Sequence, residues 1–151
     1  MQNFLMAFAL IFTLTCTVGC KKDGCTNQYA ENYDSDADND DGSCTLERDK
    51  FLSTYSSLEI CSGIPADGYD FIIAESSEGD NKVIVSNLFN EGGSIIATID
   101  GANISFENEL NTTSSARFDG NGSVVDTQIT LSFDVTLGNE TVICSLTGTK
   151  K

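Results

Sequence analysis

The sequence predicts an all-β domain over residues 50–151, a small antiparallel up-and-down meander of about eight strands closed into a barrel, with a β-sandwich as the alternative. Three observations point there. Short runs alternate apolar and polar residues and are cut by Gly, Asp and Asn. No run keeps helical period over three turns. One cysteine ends the first run and another lies in the last, as strands brought side by side by closure would place them.

The clearest strand is Gln128–Leu137. Ile129, Leu131, Phe133, Val135 and Leu137 fall on one face and Thr130, Ser132, Asp134 and Thr136 on the other. That alternation marks one buried and one wet face. The same grammar places strands near 51–61, 69–75, 82–88, 94–100, 102–107, 115–124 and 141–148. Asp100-Gly101 is a hairpin signal, because it accepts the positive φ of a type I′ turn. Glu78-Gly79-Asp80-Asn81, Val125-Asp126-Thr127 and Leu137-Gly138-Asn139-Glu140 are further turns. Every connection is short, so sequential neighbours should pair. Phe71, Ile73, Val83, Val85, Ile95, Phe106, Phe118, Leu131 and Phe133 are the predicted interior. At this length a barrel filled with its own side chains is favoured over a hollow one.

Composition bounds the rest. The 151 residues carry a net charge of −15, with 8 Lys and Arg against 23 Asp and Glu. None of the charges precedes residue 20, so a chain cut there keeps the whole excess. The acidity argues against a nucleic-acid partner, which needs clustered cations. Histidine is absent, which removes His-activated nucleophiles and the commonest metal ligand. No nucleophile motif stands out, so the chain reads as a non-enzyme. Glu59, Asp70 and Asp134 are the carboxylates that would have to meet on one face for glycoside hydrolysis. The Asn-x-Ser/Thr sites at Asn103, Asn111, Asn121 and Asn139 read as strand and turn composition rather than glycosylation.

Residues 4–14 form an apolar core too short to span a membrane, followed by small residues and a cysteine. Residues 1–19 therefore read as a signal peptide. Thr17-Val18-Gly19-Cys20 resembles a bacterial lipobox, which makes Cys20 the lipid-attachment residue of the mature chain; Cys16 leaves with the signal. Lys21-Lys22-Asp23 resembles the charged tags that send some Gram-negative lipoproteins to the outer face of the outer membrane. The expected location is thus the bacterial outer membrane, lipid-anchored at the cell surface, with the membrane as a partner through the N-terminal lipid.

Residues 20–49 read as a lipidated tether and an acidic disulfide loop. Apolar content there is too low to fold by burial alone. A Cys25–Cys44 bond would stabilise the loop by roughly 3 kcal/mol. Four cysteines allow three pairings; local pairing of Cys25 with Cys44 leaves Cys61 for Cys144. That second bond requires the first and last strands to be neighbours, which closure achieves, and contributes roughly 4 to 5 kcal/mol. Asp34, Asp36, Asp38, Asp40 and Asp41 are candidate calcium ligands, since carboxylates two residues apart can converge on one ion. Calcium is the only cofactor suggested. The EF-hand register fails, because Asp41 stands where glycine is obligatory.

Cys25-Thr26, Ala30, Asn32-Tyr33-Asp34, Ala37 and Asp40-Asp41-Gly42-Ser43-Cys44 resemble a short cysteine-bounded repeat of secreted and surface proteins of environmental Gram-negative bacteria. The repeat's usual Asp-Pro after Cys-Thr is Asn27-Gln28 here. The resemblance implies an extracellular linker or stalk present in one copy. Phe51-Leu52-Ser53-Thr54-Tyr55 resembles the Gly-x-Trp opening of lipocalin-like barrels, with Ser53 and Tyr55 in place of the glycine and tryptophan. Most of the chain after Cys20 resembles small uncharacterised outer-membrane lipoprotein domains that follow this acidic loop. That implies a lipocalin-like barrel and brings no activity with it. The expected function is a monomeric, non-catalytic binding or display module, facing the surface or the periplasm, whose partner is an extracellular protein or a glycan. The alternative is a lipocalin-like carrier of a small apolar ligand.

Overall fold

The computed structural model describes residues 21–65 and 68–151. Cys16, Cys20 and the signal segment lie outside the described residues. Eight strands form the domain: β1 (Ser53–Cys61), β2 (Tyr69–Glu75), β3 (Lys82–Ser86), β4 (Ser94–Asp100), β5 (Asn103–Leu110), β6 (Arg117–Val125), β7 (Gln128–Leu137) and β8 (Glu140–Lys150). Each pairs antiparallel with the next. β8 pairs with β1 from Cys144↔Cys61 to Lys150↔Tyr55, which closes the barrel and excludes the sandwich.

Inward residues follow the alternation read from the sequence. Phe71, Ile73, Val83, Val85, Ile95, Phe106, Phe118, Leu131 and Phe133 are all buried, and Ile99, Ile104, Ile129 and Leu146 join them. The barrel is packed with side chains across its lower and middle layers. Phe106, Phe118 and Phe133 lie with ring centroids 6.2 to 6.4 Å apart about Phe133, the offset geometry aromatic rings favour. Space for them comes from inward Gly120, where a Cβ would stand 2.5 Å from Phe133 Cβ and 2.9 Å from Phe106 Cε2, and the next inward glycine lets β7 approach as closely. A Cβ on Gly122 would stand 2.0 Å from the Thr130 carbonyl oxygen and 2.6 Å from Leu131 Cδ2.

Three local expectations change. Phe51 is not in the first strand. It ends a 3-10 helix, Glu47–Phe51, and is fully buried. Leu137 does not continue the buried face of β7; it is 59% exposed at the rim. The Asp100-Gly101 hairpin turns on Gly101-Ala102, because Asp100 is still paired with Asn103. Only Gly101 there has positive φ (59°), whereas a type I′ loop needs two such residues.

The two ends differ. The proximal end holds the N-terminus of β1, the turns β2–β3, β4–β5 and β6–β7, and the C-terminus. The 3-10 helix closes it. Arg48 Nη1 donates to the carbonyls of Ser76 (3.2 Å) and Gly79 (2.8 Å). Tyr55, fully buried, donates its hydroxyl to the Phe51 carbonyl at 2.8 Å and stacks on Phe71 at 5.1 Å. Burial without a cationic neighbour pushes the Tyr55 hydroxyl up to about 12.

The acidic loop docks on this same end. Its Cys25–Cys44 disulfide is formed. Glu47 accepts from the Gly101 amide at 2.7 Å, and Asn27 Nδ2 donates to Asp80 at 2.7 Å. Asn27 thus ties the loop to the β2–β3 turn of the barrel. The distal end carries the connections β1–β2, β3–β4, β5–β6 and β7–β8, and points away from the loop.

Replacing Gly122 by Ala should lower stability by about 1–3 kcal/mol, since the added methyl overlaps strand β7. Denaturant unfolding should show a reduced midpoint with an unchanged slope; an unchanged midpoint would mean the corner is looser than described.

Candidate functional site

Strand β1 keeps the alternation of burial but reverses its polarity in its second half. Ser57 and Glu59 point inward, each 3% exposed, while Leu58 and Ile60 point outward at 73% and 48%. The reason is the closure. Directly opposed residues of an antiparallel pair share a face. Inward Cys144, Leu146 and Gly148 oppose Cys61, Glu59 and Ser57. The Cys61–Cys144 disulfide, formed with the Cα atoms 4.1 Å apart, holds that register.

Glu59 therefore lies inside the barrel at the distal end. Tyr69, at the start of β2, donates its hydroxyl to Glu59 Oε2 and accepts from the Phe89 amide at 2.9 Å. Ser57 Oγ donates to the Tyr69 carbonyl at 2.7 Å. Glu59 Oε1 lies 2.9 Å from Cys61 Sγ. That sulfur is oxidised and carries no hydrogen, so Oε1 receives no hydrogen bond from it. Desolvation raises the Glu59 carboxyl above its ordinary value of 4.5, and the Tyr69 hydrogen bond opposes part of the rise. Burial and the adjacent carboxyl together push the Tyr69 hydroxyl strongly up.

Phe89 belongs to the β3–β4 connection. Asn87, Phe89, Asn90, Gly92 and Gly93 all have φ between 54° and 65°. Left-handed backbone is uncommon outside glycine, and for a bulky residue such as Phe89 it is maintained only by its surroundings. Here the surroundings are specific. Asn87 Oδ1 accepts from the Gly92 amide at 2.9 Å. Buried Asn111, from the β5–β6 connection, donates to the Gly92 carbonyl at 2.9 Å and caps Thr113 and Ser114. Asn111 is thereby a structural residue, in keeping with its reading as composition rather than a glycosylation site.

Two cavities flank Phe89. One, of about 480 Å³, has Glu59 and Tyr69 at its base and Ile64, Pro65 and Phe89 as apolar walls. The other, of about 180 Å³, is lined by Ala116, Val135 and Val142 with Glu91 and Glu140 at its rim. Outside the mouth, Ile60, Ile64 and Ile143 are exposed beside Leu58.

Glu59, Cys61 and Cys144 bring an oxygen and two sulfurs within 4.8 Å. Both sulfurs belong to the disulfide, so neither is a thiolate for a metal. The carboxylates considered together in the sequence do not meet. Glu59 points inward, Asp70 is outside and paired with Lys151 at 2.5 Å, and Asp134 is on the outer face of β7.

In the acidic loop most carboxylates close turns. Asp34 pairs with Lys22 at 2.6 Å and accepts from the Asp36 amide at 3.0 Å. Asp38, Asp40 and Asp41 accept from the amides of Lys22, Gly42 and Ser43 at 2.8 to 3.1 Å. Lys22 holds the Asp34 carboxyl below its usual range, and the Ser43 hydroxyl and amide do the same for Asp41. Among the described residues, no three of these aspartates converge on a common centre.

No known protein family matches the sequence, and no curated protein matches it. Among solved structures, the chain is similar to a redesigned beta barrel at 8% identity and a TM-score of 0.49, covering 70% of this chain and 95% of that one.

The raised Glu59 carboxyl has a signed consequence for stability. Below pH 4.5 the group is protonated in both folded and unfolded chains and costs nothing. As pH rises through the folded value, the unfolded chain releases its proton first and stability falls. Glu59→Gln should therefore raise Tm at pH 7, with the gain shrinking by pH 4. A gain that is equal at both pH values, or absent, would contradict the assignment.

Proposed function

We propose that this protein is a non-catalytic binding module, lipid-anchored through Cys20 at the bacterial outer membrane and displayed as a monomer on the cell surface, with its distal mouth as the working end. One observation carries the reading. The end that receives the anchored segment is plugged by Phe51 and covered by the acidic loop, while at the opposite end a buried acid and a conformationally forced aromatic line one cavity. Loops held in costly geometry by their neighbours concentrate at working sites.

The carrier alternative is less well supported. A small-ligand calyx needs about 300 Å³ or more of mostly apolar space. The cavity of about 480 Å³ is large enough but carries the buried Glu59 carboxyl in its lining, which disfavours a purely apolar ligand; the more apolar cavity beside Phe89 has only about 180 Å³, and the core beneath is filled. Extracellular protein and glycan partners both suit an exposed mouth.

Photo-crosslinking on intact cells tests the polarity. A photoreactive residue replacing Leu137, at the distal rim, should yield adducts; the same residue replacing Val125, at the proximal turn, should not. Equal labelling at the two positions would refute the proposal. Cys20→Ala should move the protein from the membrane to the soluble fraction.

Calcium at the acidic loop is proposed as a weak interaction only, because Lys22 and backbone amides already occupy Asp34, Asp38, Asp40 and Asp41. Calorimetry should give a Kd of about 1 mM, the range of extracellular modules. Micromolar affinity, or no heat in the millimolar range, would contradict this.

A further inference from the structure

We propose that the distal cavity takes a small organic cation, an ammonium group carried on an apolar or aromatic body, with Glu59 as its anionic anchor. The inference rests on the distal mouth being the working end and goes on to name the chemistry it would accept.

The anchor is incompletely satisfied. Glu59 is 3% exposed, yet only Oε2 has a protein donor, the Tyr69 hydroxyl. Oε1 faces the Cys61 sulfur at 2.9 Å, and an oxidised sulfur cannot donate. A buried carboxylate oxygen without a donor costs free energy that an incoming N–H recovers. An ammonium supplies that hydrogen and the compensating charge together. A neutral donor supplies only the first, and an anion supplies neither.

The walls select the rest of the ligand. Ile64, Pro65 and Phe89 face the same cavity, and its volume of about 480 Å³ lies in the range of small-molecule sites. Phe89 brings an aromatic ring to the lining, and a cation is attracted to the face of such a ring. Its amide is held by the Tyr69 hydroxyl that also serves Glu59, so ring and carboxylate are positioned by one side chain.

The long-range field points the same way. Of the eight Lys and Arg, Arg117 alone starts a strand at the distal end; the others belong to the acidic loop, the 3-10 helix, the start of β3 and the C-terminus. Arg117 is engaged by the Asn108 carbonyl and side chain at 3.0 and 3.1 Å. Glu91 and Glu140 stand at the rim beside Phe89. Those rim carboxylates, with Arg117 already engaged, make the mouth locally acidic within a chain of net charge −15, which draws cations and discourages anions.

Tryptamine is a suitable probe, because the protein has no Trp and indole emission reports the ligand alone. Its fluorescence anisotropy should rise on titration with the mature chain. Indole-3-acetate, with the same ring and opposite charge, should bind at least tenfold more weakly. Glu59→Gln should weaken tryptamine at least tenfold while leaving the fold intact, and Glu59→Asp should keep part of the affinity. Tyr69 from β2 is the titratable group that faces Glu59, beside the β1–β8 disulfide, so lowering the pH toward 4.5 should weaken binding as the carboxyl protonates. Equal binding of tryptamine and indole-3-acetate, insensitivity to Glu59→Gln, or no binding at all would overturn the proposal. Distal crosslinking at Leu137 would survive each of those failures, so the ligand class and the working end are tested separately.

Discussion

The pairing of β8 with β1 is the constraint on which the rest depends. It turns a meander into a closed barrel and leaves neither terminal strand as an open edge. It also fixes parity. Strand side chains have period two, so a slip of one residue would exchange the faces of β1 entirely. Tyr55 and Cys61 share a face, and both are committed: Tyr55 to its stack on Phe71 and its bond to the Phe51 carbonyl, Cys61 to Cys144. Ser57 and Glu59 lie between them on that same face and are carried inside. Leu58 and Ile60 are carried out, which forgoes up to roughly 1.5–3 kcal/mol of burial for Leu58 and about half that for the half-buried Ile60.

That arrangement separates two unlike halves within one small barrel. The proximal half is mostly ordinary protein interior: stacked and tilted aromatics, aliphatic layers, and a 3-10 helix whose Phe51 completes the core, its exception being buried Arg48, whose Nε has no hydrogen-bond partner. The distal half departs from low-energy choices in several places at once. A carboxyl is buried with one oxygen lacking a donor, a phenylalanine is held at φ of 61°, and large apolar side chains face solvent. Departures of this kind gather where a protein does something other than fold. The acidic loop adds to the division by docking on the proximal end, where it caps the barrel.

Much of this was legible in residue order. The strand from Gln128 to Val135 reads directly, because every second side chain is large and apolar, and the same rule holds for β2, β3 and β4. The two disulfides follow from local pairing and from closure. Glu59 escaped, because in Ser56-Ser57-Leu58-Glu59-Ile60 the hydrophobic alternation points to the wrong face. The signal was present one strand away: Val142, Cys144 and Leu146 set Cys144 on the inward side, and a directly opposed partner must share it, which fixes Cys61 and then Glu59. Phe89 was not legible, since a left-handed phenylalanine in Asn87-Leu88-Phe89-Asn90 is imposed by Asn111 and Tyr69, from connections and strands remote in sequence.

The central claim is that barrel closure buries an acid at the distal mouth. Its most direct test is the titration of the Glu59 side-chain carboxyl carbon by NMR in the oxidised, mature protein, with Tyr69→Phe in parallel. The account predicts a midpoint clearly above 4.5 in the native protein and a further rise in the variant, because the hydrogen bond that favours the charged form is lost. A native midpoint at or below 4.5 would mean that Glu59 faces water, and the register of β1 described here would be wrong.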